Sequence, residues 1–216
     1  MKLSQLKIDP EFQSKIPPLQ FEEEQQLEQN IIAEGRLLNP ISTWNGYILD
    51  GHTRYRILKK HGFIKFEVEE IQLANKYEAL AWICKNQLGR RNLSPERKKF
   101  LLGKEYESTK LAVGGQPGNC NKVNRCDQND HIDSEKRTCE RIAVEHGVGS
   151  ATVRRAEKYS RGIDAADEAV PGAQEEILTG HIKATDEQIV ALASIPKEER
   201  PAILEELKKK KSDRDD

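Results

Sequence analysis

An excess of one charge sign is missing from these 216 residues: 35 Lys and Arg stand against 36 Asp and Glu, for a net charge of -1. Bulk electrostatics therefore give no reason to expect a polyanionic partner, and any nucleic-acid contact has to come from local clusters of Lys and Arg. Long apolar runs are missing too, which excludes a membrane-spanning helix. Met1-Lys2-Leu3-Ser4-Gln5 lacks the apolar core of a signal peptide, so the expected location is cytoplasmic. Cys84, Cys120, Cys126 and Cys139 are scattered without a CxxC pair, as expected of reduced thiols. Cys120, Cys126, His131 and Cys139 fit none of the usual zinc spacings, and no metal site is expected. Cys84, among Leu80, Ala81, Trp82 and Ile83, reads as core filler. What the chain does have is charge of both signs, 33% of all residues, with a mean hydropathy of -0.76. That polarity suits several small helical units better than one compact globule.

The hydrophobic spacing divides the chain into short elements. Leu6-Lys7-Ile8 is a short strand, and Phe21 to Gly35 a helix with glutamates crowding its start and Gly35 stopping it. Asn45-Gly46 between Ile41-Ser42-Thr43-Trp44 and Tyr47-Ile48-Leu49 predicts a hairpin, because both central positions tolerate positive φ. Thr53 to His61 follows as a helix closed by Gly62, then Phe66 to Ile71 alternates as a strand. The helix Lys76 to Gln87 precedes Ser94-Pro95-Glu96, an N-cap with proline at the first helical position. Leu111 to Lys136, with Gly114-Gly115-Gln116-Pro117-Gly118 and few aliphatics, reads as a flexible insertion. Beyond Gly162 the chain stays helical, with breaks at Pro171-Gly172 and Ile195-Pro196, a capped helix from Thr185 and a terminal amphipathic helix over Glu198 to Lys211.

Two stretches carry chemistry. In Tyr47-Ile48-Leu49-Asp50-Gly51-His52-Thr53-Arg54-Tyr55-Arg56 an apolar strand runs through a glycine into a basic helix. Such a junction turns tightly and aims the first free N–H groups of the helix at an anion. Arg54 and Arg56, two positions apart, cannot share one helical face, so at most one points straight into such a site. The competing reading is a plain strand-turn-helix whose arginines solvate a surface. The second stretch, Arg141 to Ala156, resembles a helix-turn-helix. Ala143 allows close approach, Gly147 supplies the left-handed turn, and Ile142, Val148 and Val153 fill the wedge. Its second helix, from about Ser150 to Tyr159, would offer Ser150, Ala151, Thr152, Arg154, Arg155 and Lys158 to double-stranded DNA.

The run Leu49 to Arg56, with Asn39-Pro40-Ile41 upstream and Asn86-Gln87-Leu88-Gly89-Arg90-Arg91-Asn92-Leu93-Ser94-Pro95-Glu96 downstream, resembles the N-terminal domain of the ParB family of partition proteins. With the second stretch, the resemblance spans about Ile8 to Tyr159. It implies an α+β fold: a small mixed-sheet ParB/sulfiredoxin-like domain over 1–93, an all-α helix-turn-helix domain over 94–162 with the insertion 111–136, and a C-terminal helical segment over 163–216. It implies CTP and Mg2+ as ligands, a homodimer on double-stranded DNA, and a nucleotide site formed by Gly51, His52, Thr53, Arg54, Arg56, Asn86, Gln87 and Arg90. The expected role is partition or regulation of a chromosome, plasmid, phage or other mobile element. The alternatives are a nuclease or nucleotide-dependent phosphotransferase targeted by the helix-turn-helix, or a transcription regulator with a vestigial pocket.

Departures from the family pattern shape the expected chemistry. His52-Thr53-Arg54 replaces an acidic residue and two arginines. Asn86 stands where the family has the glutamate associated with hydrolysis, and Gln87 where it has the magnesium-binding asparagine. An amide orients water but accepts no proton, so nucleotide should bind and turn over weakly or not at all. Sulfiredoxin chemistry is disfavoured, because the position of its catalytic cysteine falls on His52. The coiled-coil dimerisation domain typical of chromosomal partition proteins is not evident in the sequence.

Overall fold

The computed structural model describes residues 2–90, 92–114 and 138–215, and the chain divides into two compact units, Met1–Cys84 and Lys85–Asp216. The insertion at 111–136 lies almost wholly outside the described residues.

The first unit is built on a hairpin. Strand β1 (Ile41–Trp44) and strand β2 (Tyr47–Asp50) pair antiparallel around Asn45 and Gly46, whose φ values of 49° and 78° are the mirror-image turn that matches strand twist. Strand β3 (Val68–Glu70) adds in parallel on the other side of β1, giving the order β2-β1-β3. The alternating segment 66–71 thus yields a strand only at its centre. Lys7 makes a single parallel bridge to Tyr47, so the expected first strand is reduced to one residue pair. A bulge between Ser42 and Thr43 shifts the register of the hairpin.

Both faces of this sheet are covered. Ile41 and Ile48 pack with Ile31 of α2 (Phe21–Glu34) and with Tyr55, Ile57 and Leu58 of α3 (His52–Lys60). Leu49 turns the other way, to Phe12 of α1 (Pro10–Ser14) and to Leu80 and Ile83 of α4 (Lys76–Leu88). The consecutive buried pair Ile48-Leu49 follows from that two-sided burial. Lys76 of α4 bridges Asp9 at 3.1 Å and Glu11 at 2.8 Å, and Trp44 donates its indole N–H to the Leu73 carbonyl at 2.9 Å.

The second unit is helical. Helix α5 (Pro95–Ala112) begins at Ser94, whose hydroxyl accepts the Arg97 N–H at 3.2 Å. After it come α6, helical over 138–145, then α7 (Ser150–Ala169), α8 (Ala173–Leu178), α9 (Asp186–Leu192) and α10 (Arg200–Asp215). Two glycines set the packing of α7. A Cβ on Gly103 of α5 would stand 2.2 Å from the Ala156 carbonyl oxygen, and one on Gly162 would stand 2.0 Å from that of Ile189. At both crossings backbone meets backbone, which only glycine permits. Helix α7 does not stop near Tyr159 as its sequence suggested. It runs for 20 residues, because Ile163, Ala165 and Ala166 continue the buried stripe of Val153, Ala156 and Tyr159.

Candidate functional sites

At the end of β2 the chain turns through Gly51, at φ 100°, straight into α3. Tyr55 makes the first intrahelical bond, to the Gly51 carbonyl at 2.8 Å. The amides of His52, Thr53 and Arg54 precede it, and Gly51, having no side chain, caps none of them. A glycine turn into a helix N-terminus is a form that can accept an anion, but here the arginines are engaged elsewhere. Arg54 donates from Nη1 to the carbonyls of Asn39 at 2.9 Å and Pro40 at 2.7 Å, and from Nη2 to the Asp50 carboxylate at 2.5 Å. The guanidinium consequently lies against Gly51, where an added Cβ would find it 3.2 Å away. Arg56 faces a different way and grips both Glu24 carboxylate oxygens, at 2.9 and 3.0 Å. The two arginines diverge, as two-residue spacing on a helix requires. The Asn39-Pro40-Ile41 segment is the strap that Arg54 ties to the turn, through the carbonyls of Asn39 and Pro40.

His52 is 6% exposed, and among the described residues neither ring nitrogen has a hydrogen-bond partner. Burial pushes its imidazole down to about 4; the Asp50 carboxylate opposes that fall and Arg56 adds to it. The ring is neutral at pH 7, a buried donor-acceptor pair with nothing to meet.

Asn86, Gln87 and Arg90 belong to the second unit. Asn86 and Arg90 are exposed, while Gln87 is buried and, among the described residues, neither of its amide atoms has a partner. The Arg90 N–H donates to the Gln87 carbonyl at 2.9 Å, ending α4.

Helices α6 and α7 meet through Gly147, at φ 65°, with the Val148 N–H bonded back to the Ala143 carbonyl at 2.9 Å. Ile142, Ala143 and Val153 pack with Leu102 and Tyr106 of α5, and Cys139 joins them as core filler. Val148 does not fill the wedge: it is 36% exposed. On α7 the expected contact residues separate by face. Ala151, Arg154, Arg155 and Lys158 are exposed, Ser150 and Thr152 half-buried, and Val153 and Ala156 turned inward. The α6–α7 corner is fastened to α5 by His146, which lies 2.7 Å from the buried Glu105 carboxylate. Burial raises that carboxyl above its ordinary value, and His146 beside it opposes the rise. Lys104 is held above its ordinary value against the pull of burial by Asp164 at 2.8 Å and Glu107 at 2.5 Å, which ties α5 to α7 again. Neither the glycine crossings nor the Glu105–His146 pair follows from sequence spacing, although a lone glycine directly after the apolar run Phe100-Leu101-Leu102, inside a helix, is a signal of close approach.

Among the described residues no cluster of three or more His, Cys, Asp or Glu is placed to hold a metal ion, and no helix is long and apolar enough to cross a membrane. No protein-family model and no curated protein matches the chain. Its architecture does match solved structures. A Pnob8-like ParB-N domain superimposes with a TM-score of 0.51 at 14% identity, over 96% of this chain and 95% of that one. The C-terminally truncated chromosome-partitioning protein ParB from Caulobacter crescentus, complexed to the centromeric parS site, gives 0.40 at 16% identity, over 95% of this chain and 94% of that one. The first of these likenesses defines the class: a ParB-like fold of mixed α+β architecture.

Proposed function

We propose that this chain is a ParB-like DNA-binding protein acting in partition or regulation of a replicon, with α6 and α7 as a helix-turn-helix. One observation carries the reading. Along α7 the cations Arg154, Arg155 and Lys158 all face solvent with Ala151, while Val153 and Ala156 face inward. A helix so divided can enter a major groove with its small and basic residues leading. Double-stranded DNA is the partner this supports, bound by a homodimer as in other two-fold readers. Fluorescence anisotropy with labelled duplexes tests it. The unaltered chain should bind, and the Arg154→Ala/Arg155→Ala variant should lose affinity; equal affinity would refute the assignment.

The Gly51 turn supports a nucleotide triphosphate as second ligand, CTP foremost. The amides of His52 and Thr53 would meet a phosphate, with Thr53 Oγ1 beside them. Asp50 is paired with Arg54, so a magnesium ion would arrive with the phosphates rather than at a protein-built seat. Asn86 and Gln87 leave no proton acceptor at the positions the resemblance assigns to hydrolysis. Calorimetric titration with CTP and magnesium should therefore show binding, with phosphate release slow or absent; brisk release would overturn this part.

A second reading has its own support. Arg54 and Arg56 are both bound within the chain, as expected if the turn is structural and the protein is a DNA-binding regulator with a vestigial pocket. Calorimetry without any nucleotide signal, alongside intact DNA binding, would select it.

A further inference from the structure

The helices of the second unit surround a cleft of about 440 Å³ that neither the Gly51 turn nor the exposed face of α7 lines. Its size falls in the range of roughly 300–1,000 Å³ typical of small-molecule sites. The buried side chains of Ile177, Ile182 and Leu207 give it an apolar lining. Tyr159 lines it from the middle of α7. This tyrosine is 3% exposed, and among the described residues its hydroxyl has no hydrogen-bond partner. The ring is buried but the hydroxyl is not fully enclosed, so the phenol presents an open donor at the cleft. Lys99 Nζ sits 4.6 Å from the ring centroid and is itself held by Asp186 at 2.5 and 2.6 Å. Burial, reinforced by the Asp186 and Glu96 carboxylates, pushes the phenol up to about 12, so it remains a protonated donor. Glu96 and Lys183 also line the cleft and are exposed, and their opposite charges leave its mouth without net charge.

We propose that this cleft binds a neutral small molecule with an apolar body and a hydrogen-bond acceptor, of the aromatic ketone or amide class, with Tyr159 donating to the acceptor. An ionic ligand would lose its hydration against the isoleucines and leucine with no net charge to repay it. A neutral one buries its apolar body and needs only the one directed bond. Occupancy does not depend on whether α7 binds DNA.

The test uses the full chain and Nile red, a neutral aromatic dye with a carbonyl acceptor. Its fluorescence should rise saturably with one dye per chain. Tyr159→Phe keeps the ring and removes only the donor, and should weaken binding about fivefold, the value of one neutral hydrogen bond. Ala184→Trp, which fills the cleft from its rim, should weaken it at least tenfold; circular dichroism melting checks that both variants fold. An absence of saturable binding would overturn the proposal, as would an affinity unchanged in Tyr159→Phe, which would place the dye elsewhere.

Discussion

Arg54 illustrates how a charge offered by the sequence can be taken up by the fold itself. Its guanidinium satisfies two backbone carbonyls and one carboxylate, with the side chain only 17% exposed. Truncating it strands acceptors that cannot all reach water, so Arg54→Ala should destabilise the first unit by about 2–3 kcal/mol. Arg54→Lys should recover only part, because an ammonium cannot reproduce the planar fork. Urea unfolding followed by tryptophan fluorescence measures this, since Trp44 and Trp82, the 2 tryptophans of the chain, both lie in that unit. His52 yields a pH prediction from the same neighbourhood. Its folded value near 4 lies below the ordinary 6.5. Protons therefore bind the unfolded chain first as pH falls. Stability is fully present above pH 6.5 and is lost progressively down to about 4, by roughly 3 kcal/mol in all. The same unfolding measurement across that window should show the slope, and His52→Gln should flatten it.

At the scale of elements, the crossings of α7 decide more than helix propensity does. Replacing Gly103 with alanine would favour the isolated helix α5 by about 1 kcal/mol. In the folded protein the new methyl would meet the Ala156 carbonyl oxygen at 2.2 Å and Ser160 Oγ at 2.7 Å. Backbone cannot step aside as a side chain can. Overpacking of this kind costs about 1–3 kcal/mol or more, so the steric effect should win and Gly103→Ala should lower stability. Gly162→Ala should do the same at the Ile189 carbonyl. Thermal melts by circular dichroism check both, and a rise in melting temperature would mean that the helices can part freely. The Asn45-Gly46 hairpin is the opposite case: there a local rule was sufficient, because a two-residue turn with positive φ at both positions admits few alternatives.

For the whole molecule, charge balance determines how the proposed DNA binding should respond to salt. With a net charge of -1, the chain as a whole offers no long-range attraction to a polyanion, and the proposed affinity would come from the exposed edge of α7. On the proposed reading, Arg154→Ala should cost about 1–3 kcal/mol if the side chain reads a base. If it meets a phosphate instead, binding should weaken uniformly across sequences and the salt slope should fall by about 1. Anisotropy titrations on two unrelated duplexes at several salt concentrations separate these outcomes.

The sequence by itself determined the parts governed by local stereochemistry: the hairpin, the Gly35 and Gly147 turns, and the Ser94 and Thr185 caps. Each depends on a few adjacent residues whose backbone preference or period is strong. It also determined that the Gly51 turn would open a basic helix. Only the tertiary structure decided where those basic side chains go. Arg54 reaches back 14 and 15 residues to Pro40 and Asn39, and Arg56 reaches 32 residues to Glu24. Such partners are fixed by how β1, β2 and α2 pack, and sequence spacing carries no trace of them. The same holds for Gly103 and Gly162. A glycine in a helical stretch reads as a weakness until the neighbouring backbone that needs its missing Cβ comes into place.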